Sequence, residues 1–423
     1  MNNYYLKYIK YKKKYLHNLR NNILISNSSI NQFNNKLIGG INSNNNFTQN
    51  NLGHYNIKDQ NIILYAIGDI HGDYEVLKHI LTELLNVADY DINNNTFEWK
   101  ANNVYLIFNG DLVDRGGRGN KVVDIEKNDI KIIENLINLK EQSKLFNSDI
   151  ILLCGNHELM IFNQDFRYST LDKSQKTNIN RGSLFATKYS NNVLGLLRIN
   201  NILFTHGGIC EEMFKSDEYS VDFQKVDPIN YINNLIRKWL ATPKLTDTNE
   251  KKDIKTIISG DSASPMWCRT FGHEHQHKNC GNDIELKVFQ KLKKYIPNNY
   301  TQDLRMIIAH TKQSIGINSK CDGKVWRIDT GMSRAFDTHI SNINDKETIK
   351  HIKDKHNNNS DYRKIQVLQI KMDQNGLYTQ FEKIVSNYRA YDLIQNTQSL
   401  DKYFNYKQNQ NYQHYSYDLH DYI

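Results

Sequence analysis

Five short polar segments each follow an apolar run, and they constrain this chain more than any other feature. They are Gly68-Asp69-Ile70-His71-Gly72, Gly110-Asp111-Leu112-Val113-Asp114-Arg115-Gly116, Gly155-Asn156-His157-Glu158, His206-Gly207-Gly208 and Ala309-His310-Thr311. The runs before them, Ile62–Ile67, Val104–Phe108, Ile150–Leu153, Ile202–Thr205 and Met306–Ala309, read as buried strands. Helical spacing over Tyr74–Leu85 and Ile130–Lys140, and a helix starting near His157, make the chain alternate strand and helix. Val325–Ile328 is a further strand, and Gln374-Asn375-Gly376 between Ile365–Ile370 and Leu377–Phe381 signals a hairpin. In an open α/β sheet the loops after the strands converge on the ligand site. The polar segments sit in those loops.

Aspartate, histidine and asparagine in that placement suit two divalent cations, which need a carboxylate between them and further ligands outside. Asp69 and His71 can turn into one site, Asp111 is the natural bridge, and Asn156, His206 and His310 can complete a second metal. Carboxylate and imidazole suit Mn, Fe and Zn alike. A water between two such ions becomes hydroxide near neutral pH and can attack phosphorus in line. His157, beside Asn156, is placed to protonate the leaving oxygen, with Asp114 orienting its ring. Arg115 and Arg269 can grip phosphate oxygens.

The charge is unevenly spread. The net charge is +8, and residues 1–58 hold eight Lys and Arg with no Asp or Glu. The remaining 46 of the 54 basic residues equal the 46 acidic ones, so the body is neutral. Tyr4, Tyr8, Tyr11 and Tyr15 fall on one helical face flanked by lysines, and an Asn/Ser-rich linker is expected to follow. The helix reads as solvated or docked on the body, as an arm for an acidic partner such as nucleic acid or anionic lipid, or as a targeting signal. We expect residues 1–60 to be arm and linker, 61–390 the catalytic domain and 391–423 a polar tail. The five scattered cysteines argue against a disulfide scaffold and for an intracellular, reducing compartment. No apolar stretch is long enough to span a bilayer.

These segments resemble the phosphoprotein-phosphatase branch of the calcineurin-like metallophosphoesterases, whose GDxHG, GDxxDRG, GNHE and HGG signatures stand here as Gly68–Gly72, Gly110–Gly116, Gly155–Glu158 and His206–Gly208. Ser264-Pro265-Met266-Trp267-Cys268-Arg269, Ile308–Thr311 and Trp326–Ser333 look like the Shewanella-like protein phosphatases. The resemblance implies an α/β fold, a four-layer sandwich of two central mixed sheets with helices outside. It implies Asp69, His71 and Asp111 on the first metal, and Asp111, Asn156, His206 and His310 on the second. His157 with Asp114 matches the acid pair, and Arg115 and Arg269 match the phosphate-binding arginines. It implies a phosphorylated protein or peptide as substrate, on Ser/Thr or Tyr. Arg181-Gly182-Ser183-Leu184-Phe185 is similar to another subfamily segment, but Thr187-Lys188-Tyr189 replaces the glycines expected after it. The Tyr-Lys pattern of the arm also resembles N-termini of giant DNA virus proteins, which would place the chain in host cytoplasm or virion.

Other readings compete. A dinucleoside tetraphosphatase or other small-nucleotide hydrolase shares the metal positions and the arginine of the second segment. An inactive tethered binding protein would not need every metal position filled, and a nuclease would not need Arg115-Gly116. Cys268, His273, His275, His277 and Cys280 read as an exposed insertion rather than a zinc site, because their spacing matches no zinc pattern. Cys154 reads as a buried apolar residue, and Gly116-Gly117-Arg118-Gly119 as either a phosphate cradle or a turn.

Overall fold

The strands are nearly continuous apolar runs because both of their faces are covered. In Val104–Phe108, Leu106 and Phe108 point one way and Ile107 the other, and all three are fully buried. The computed structural model describes residues 52–116, 127–259, 262–273, 284–336, 363–390 and 393. The arm to residue 51, Gly117–Gly119, His275, His277, Cys280 and all of the tail from 391 except Leu393 lie outside them.

Fourteen strands are described: β1 (His54–Tyr55), β2 (Ile63–Ile67), β3 (Ala88–Asp91), β4 (Thr96–Trp99), β5 (Val104–Phe108), β6 (Asp149–Leu153), β7 (Val193–Leu194), β8 (Leu196–Ile199), β9 (Ile202–Thr205), β10 (Arg305–Ile308), β11 (Asn318–Lys320), β12 (Val325–Arg327), β13 (Lys364–Met372) and β14 (Tyr378–Arg389). The helices used below are α1 (Tyr74–His79), α2 (Asp129–Ser143), α3 (Asn156–Phe162), α4 (Lys173–Asn178), α5 (Leu184–Ser190), α6 (Pro228–Ala241) and α7 (Thr248–Ile258). One mixed sheet runs β14-β13-β2-β5-β6-β7 and the other β1-β8-β9-β10-β12-β11. Leu64, Ile107, Ile151 and Leu153 of the first pack against Leu197, Ile202, Phe204 and Ile307 of the second in one core. The alternate residues, such as Leu106 and Phe108 or Leu203 and Met306, share a core with helix residues Leu77, Leu136 and Ile236. The result is four layers, helices outside two facing sheets.

Two expectations change. The sequence predicts a linker through residue 60, but β1 pairs in parallel with β8, and Ile57 N–H donates to Asn200 Oδ1 at 2.7 Å. Tyr55 and Ile57 supply the apolar surface that the Asn/Ser content around them concealed. The expected helix over Tyr74–Leu85 is α-helical only to His79 and continues as π-type turns over Ile80–Leu84. The expected hairpin is present, with β13 and β14 antiparallel around Asp373–Leu377.

Candidate metal centre

β2, β5, β6, β9 and β10 lie parallel to a sheet neighbour and end together, so their following loops meet. The β5 loop lies against the β2 loop: Ile70 and His71 N–H both donate to the carbonyl of Asp111, at 3.1 and 2.9 Å. His71, Asp111, Asp114 and His310 all adopt left-handed backbone, with φ of 45, 51, 67 and 66°. Such conformations are uncommon for side-chain-bearing residues and cluster at functional sites. Gly155 is needed for closeness: a Cβ there would run into Asp111 Oδ1 and N.

Asp69, His71, Asp111, Asn156, His206 and His310 come together, and all six are buried. His71 Nε2 lies 3.8 Å from both Asp69 Oδ2 and Asp111 Oδ2. His206 Nε2 lies 3.1 Å from Asp111 Oδ2 and 2.9 Å from Asn156 Oδ1. Two triads have ligand atoms within 4.8 Å of one another and could each hold an ion, His71/Asp111/His157 and Asp111/His206/His310. Asp111 is common to both. Asp69 belongs to neither triad and stands beside His71.

The electrostatics fit a cation. Burial, then Asp329 and Asp111, push the Asp69 carboxyl well above its usual range. Burial opposes ionisation of Asp111 as well, but His206, His157 and His71 hold it well below. Burial, with Arg269 and His206, keeps His310 neutral, and its buried Nε2 has no hydrogen-bond partner. An uncharged imidazole with a free ring nitrogen beside crowded carboxylates is the donor set a divalent metal takes. Two ring orientations are already fixed, since His71 Nδ1 meets Val113 O at 3.1 Å and His206 Nδ1 meets Asn109 O at 2.8 Å.

His157 opens α3, with its N–H donating to Asp111 Oδ1 at 2.9 Å. Its Nδ1 meets Asp114 Oδ2 at 2.7 Å, and its Nε2 is 3.9 Å from Asp111 Oδ2. Asp114 therefore faces His157. Arg115 is buried, with Nε 4.0 Å from Asp73 Oδ2. Arg269 lies at the exposed mouth, donating to His310 O at 3.1 Å and Thr311 Oγ1 at 3.2 Å. Arg181 lies over the ring of Trp239, at 5.0 Å.

Several supporting residues carried a weaker signal. Glu158 accepts from the N–H groups of Asp111, Leu112 and Gly155 at 2.9, 2.7 and 2.7 Å, clamping the second and third segments together. Asp73 binds Arg334 at 2.7 Å, and despite burial Arg334 and Arg115 hold its carboxyl down at about 2. Glu158 and Asp329 lie within recognisable segments and Asp73 and Arg334 directly after them, but nothing in the pattern assigns any of the four a supporting role.

The cysteine reading is corrected. Cys210 and Cys268 form a disulfide. Gly207 and Gly208 N–H both donate to Pro265 O, which brings the His206 and Arg269 loops together and sets the two Cα atoms 6.6 Å apart. The cysteine count thus no longer points to a reducing compartment. Cys154 is buried and free, as expected.

A family model described as Calcineurin-like phosphoesterase matches residues 63–295, more than half of the chain. The chain is 30% identical over 290 residues to Shewanella-like protein phosphatase 1 of Plasmodium berghei (strain Anka), covering 64% of this chain and 67% of that one. It is 25% identical over 321 residues to Shewanella-like protein phosphatase 2 of Arabidopsis thaliana, covering 64% and 71%. A solved cold-active protein tyrosine phosphatase aligns over 79% of this chain and 81% of its own, with 17% identity and a TM-score of 0.48.

Proposed function

The chain belongs to the calcineurin-like phosphoesterase family and groups with the Shewanella-like protein phosphatases, and from that premise we propose that it hydrolyses phosphomonoesters on phosphoprotein with two divalent metal ions. The observation that carries this reading is that the one carboxylate of Asp111 lies close to His71 and also to His206 and His310. Asp69, His71 and Asp111 would hold one ion, and Asp111, Asn156, His206 and His310 the other. When bound, the ions supply Lewis acidity toward the phosphate and lower the pKa of the attacking water.

The remaining work falls to the chain itself. Arg115, buried beside Asp73, and the exposed Arg269, which donates to the carbonyl of His310, would orient the phosphate oxygens. Asp114 fixes the His157 ring through Nδ1, which leaves Nε2 facing the cluster to donate a proton to the leaving oxygen. The relatives' names support a protein phosphatase.

Purified full-length protein with Mn²⁺ should be given phosphoserine, phosphothreonine and phosphotyrosine peptides, diadenosine tetraphosphate and single-stranded DNA, each with and without chelator. Chelator-sensitive turnover favouring a phosphopeptide is expected. Hydrolysis of the dinucleotide without any phosphopeptide turnover would replace this reading with the nucleotide one.

A further inference from the structure

A second concentration of charge lies past the far end of α3. Lys251, Ile254 and Lys255 share one face of α7 by their i, i+3, i+4 spacing. With Arg181, Lys244 and Trp239 they line a groove of about 260 Å³. Asn163, the residue that ends α3, lies on its rim. The floor is apolar, since Trp239 and Ile254 are buried, while the three lysines are exposed.

The four cations have no acidic partner among the described residues. The nearby acids of α7 are engaged elsewhere: Asp247 caps the helix through Glu250 N–H at 2.9 Å, and Glu250 pairs with Lys238 at 2.6 Å. Asp253 is buried on Ser220 and Tyr231. Burial alone lowers the Arg181 pKa, with no carboxylate opposing it. A half-buried guanidinium beside three unpaired lysines and an apolar floor is complementary to carboxylates carried on an aliphatic stem.

We propose that this groove docks an acidic segment of the substrate polypeptide, its Asp or Glu side chains among Arg181, Lys244, Lys251 and Lys255. The inference rests on the phosphoprotein reading and adds a sequence preference to it. Nucleic acid fits the groove less well, because Trp239 is only 2% exposed and its ring is already covered by Arg181. A base would have no aromatic face to stack on. The distance is set by α3, whose seven residues lead from Asn156 and His157 to the rim. At about 1.5 Å of rise per residue the helix spans roughly 10 Å. An extended peptide covers that in about three residues, at roughly 3.3 Å each. The preferred acids therefore lie about three to five residues from the phosphorylated one.

The test uses the full-length protein and two phosphopeptides that differ only by Asp or Asn at those positions, on either side of the phosphoresidue. We expect a KM about fivefold lower for the Asp peptide with kcat unchanged, an advantage that shrinks with salt. In the double variant Lys251→Glu/Lys255→Glu, and separately in Lys244→Glu, the KM ratio should fall toward one or below. The ratio compares two substrates in one preparation, so any common loss of fold or turnover cancels. A ratio of one in the unaltered protein, or an advantage that survives both variants, overturns the groove. If neither peptide is hydrolysed while an aryl phosphate is, the phosphoprotein reading fails instead. The groove is then judged by fluorescence anisotropy of the unphosphorylated pair: tighter binding of the Asp form, lost in the variants, upholds it, and equal binding overturns it. Single-stranded DNA that competes as well as the Asp peptide overturns the choice of a peptide.

Discussion

Strands β9 and β10 bury polar side chains at both ends, in opposite states. Before β9, Asn201 gives its amide protons to Asp303 O and Tyr378 O and accepts from Tyr378 N–H at 2.8 Å. Asn200 does the same with both backbone groups of Ile57 and with Gly376 O. Arg198 reaches His54 Nδ1, Asn56 Oδ1 and Asn200 O at 3.0, 2.8 and 2.9 Å. After the strands, Asp69 and Asp111 crowd one another and His310 Nε2 has no hydrogen-bond partner. A buried polar group gains stability only when its bonds are closed. The first end is therefore a structural clamp, and the second gathers metal-ligand donors instead of pairing them off, as a working site does.

The largest effect should come from breaking the metal-ligand end at its centre. Asp111→Asn keeps the shape and halves the charge available between two cations. It should lose at least one ion by metal analysis and nearly all turnover, and two tightly held ions with a normal rate would remove Asp111 from its role. His157→Asn comes next. It should keep both ions and slow substrates with poor leaving groups by about 10²–10⁴-fold, the usual contribution of a general acid. Activated aryl phosphates should suffer less, and equal losses would mean that His157 does not donate the proton.

The metal-ligand end should also depend on pH in a way the clamp does not. In the ion-free fold Asp69 keeps its proton at a pH where the unfolded chain has lost it. Its contribution to stability therefore falls as pH rises above about 4. His206 is also biased toward its protonated form: burial opposes this, but Asp111 raises its pKa. An arriving cation must displace both protons, so its binding strengthens with pH. The rise in melting temperature on adding Mn²⁺ should be larger at pH 7.5 than at pH 5.5, and a flat or reversed dependence would contradict this account.

The two ends also differ in how far the sequence disclosed them. The metal-ligand end is legible because its residues are chemically unusual and stand directly after apolar runs: Asp69, Asp111 and His206 each follow a strand by no more than three residues. Strands of four or five apolar residues located themselves for the same reason. The clamp was illegible because Asn200, Asn201 and His54 look like the rest of an Asn-rich chain, and only tertiary pairing gives them partners. The Cys210–Cys268 bridge was hidden too, since its 58-residue separation is closed by backbone bonds from Gly207 and Gly208 that no spacing rule reports. Arg334 reaches Asp73 across 261 positions for a similar reason.

Asn200→Ala addresses the clamp alone. It removes three hydrogen bonds and leaves the Ile57 N–H buried without its acceptor. The left-handed backbone at this position, with φ of 50°, also suits Asn better than Ala. A loss of about 1–3 kcal/mol is expected in denaturant unfolding, with ion content and kcat unaltered. Loss of an ion in this variant would show that the two ends are not independent.

The smallest catalytic effect should come from removing residues 1–51, and the choice of cut distinguishes arm from clamp. These residues carry seven Lys and Arg and no acid, and none of the proposed site residues. A 52–423 protein should hydrolyse a small aryl phosphate at close to the full-length rate and melt at a similar temperature. Its binding to an acidic partner such as nucleic acid or anionic lipid should weaken, and what remains should depend little on salt. A 61–423 protein, by contrast, also loses β1 and the partners that His54, Asn56 and Ile57 give to Arg198 and Asn200. Stranding a buried guanidinium and a buried amide is costly. This shorter protein should therefore melt well below the other while a folded fraction still binds metal. Equal melting of the two would show that β1 contributes nothing to the clamp. A 52–423 protein that is insoluble would mean that the tyrosine-rich arm is part of the fold rather than a tether.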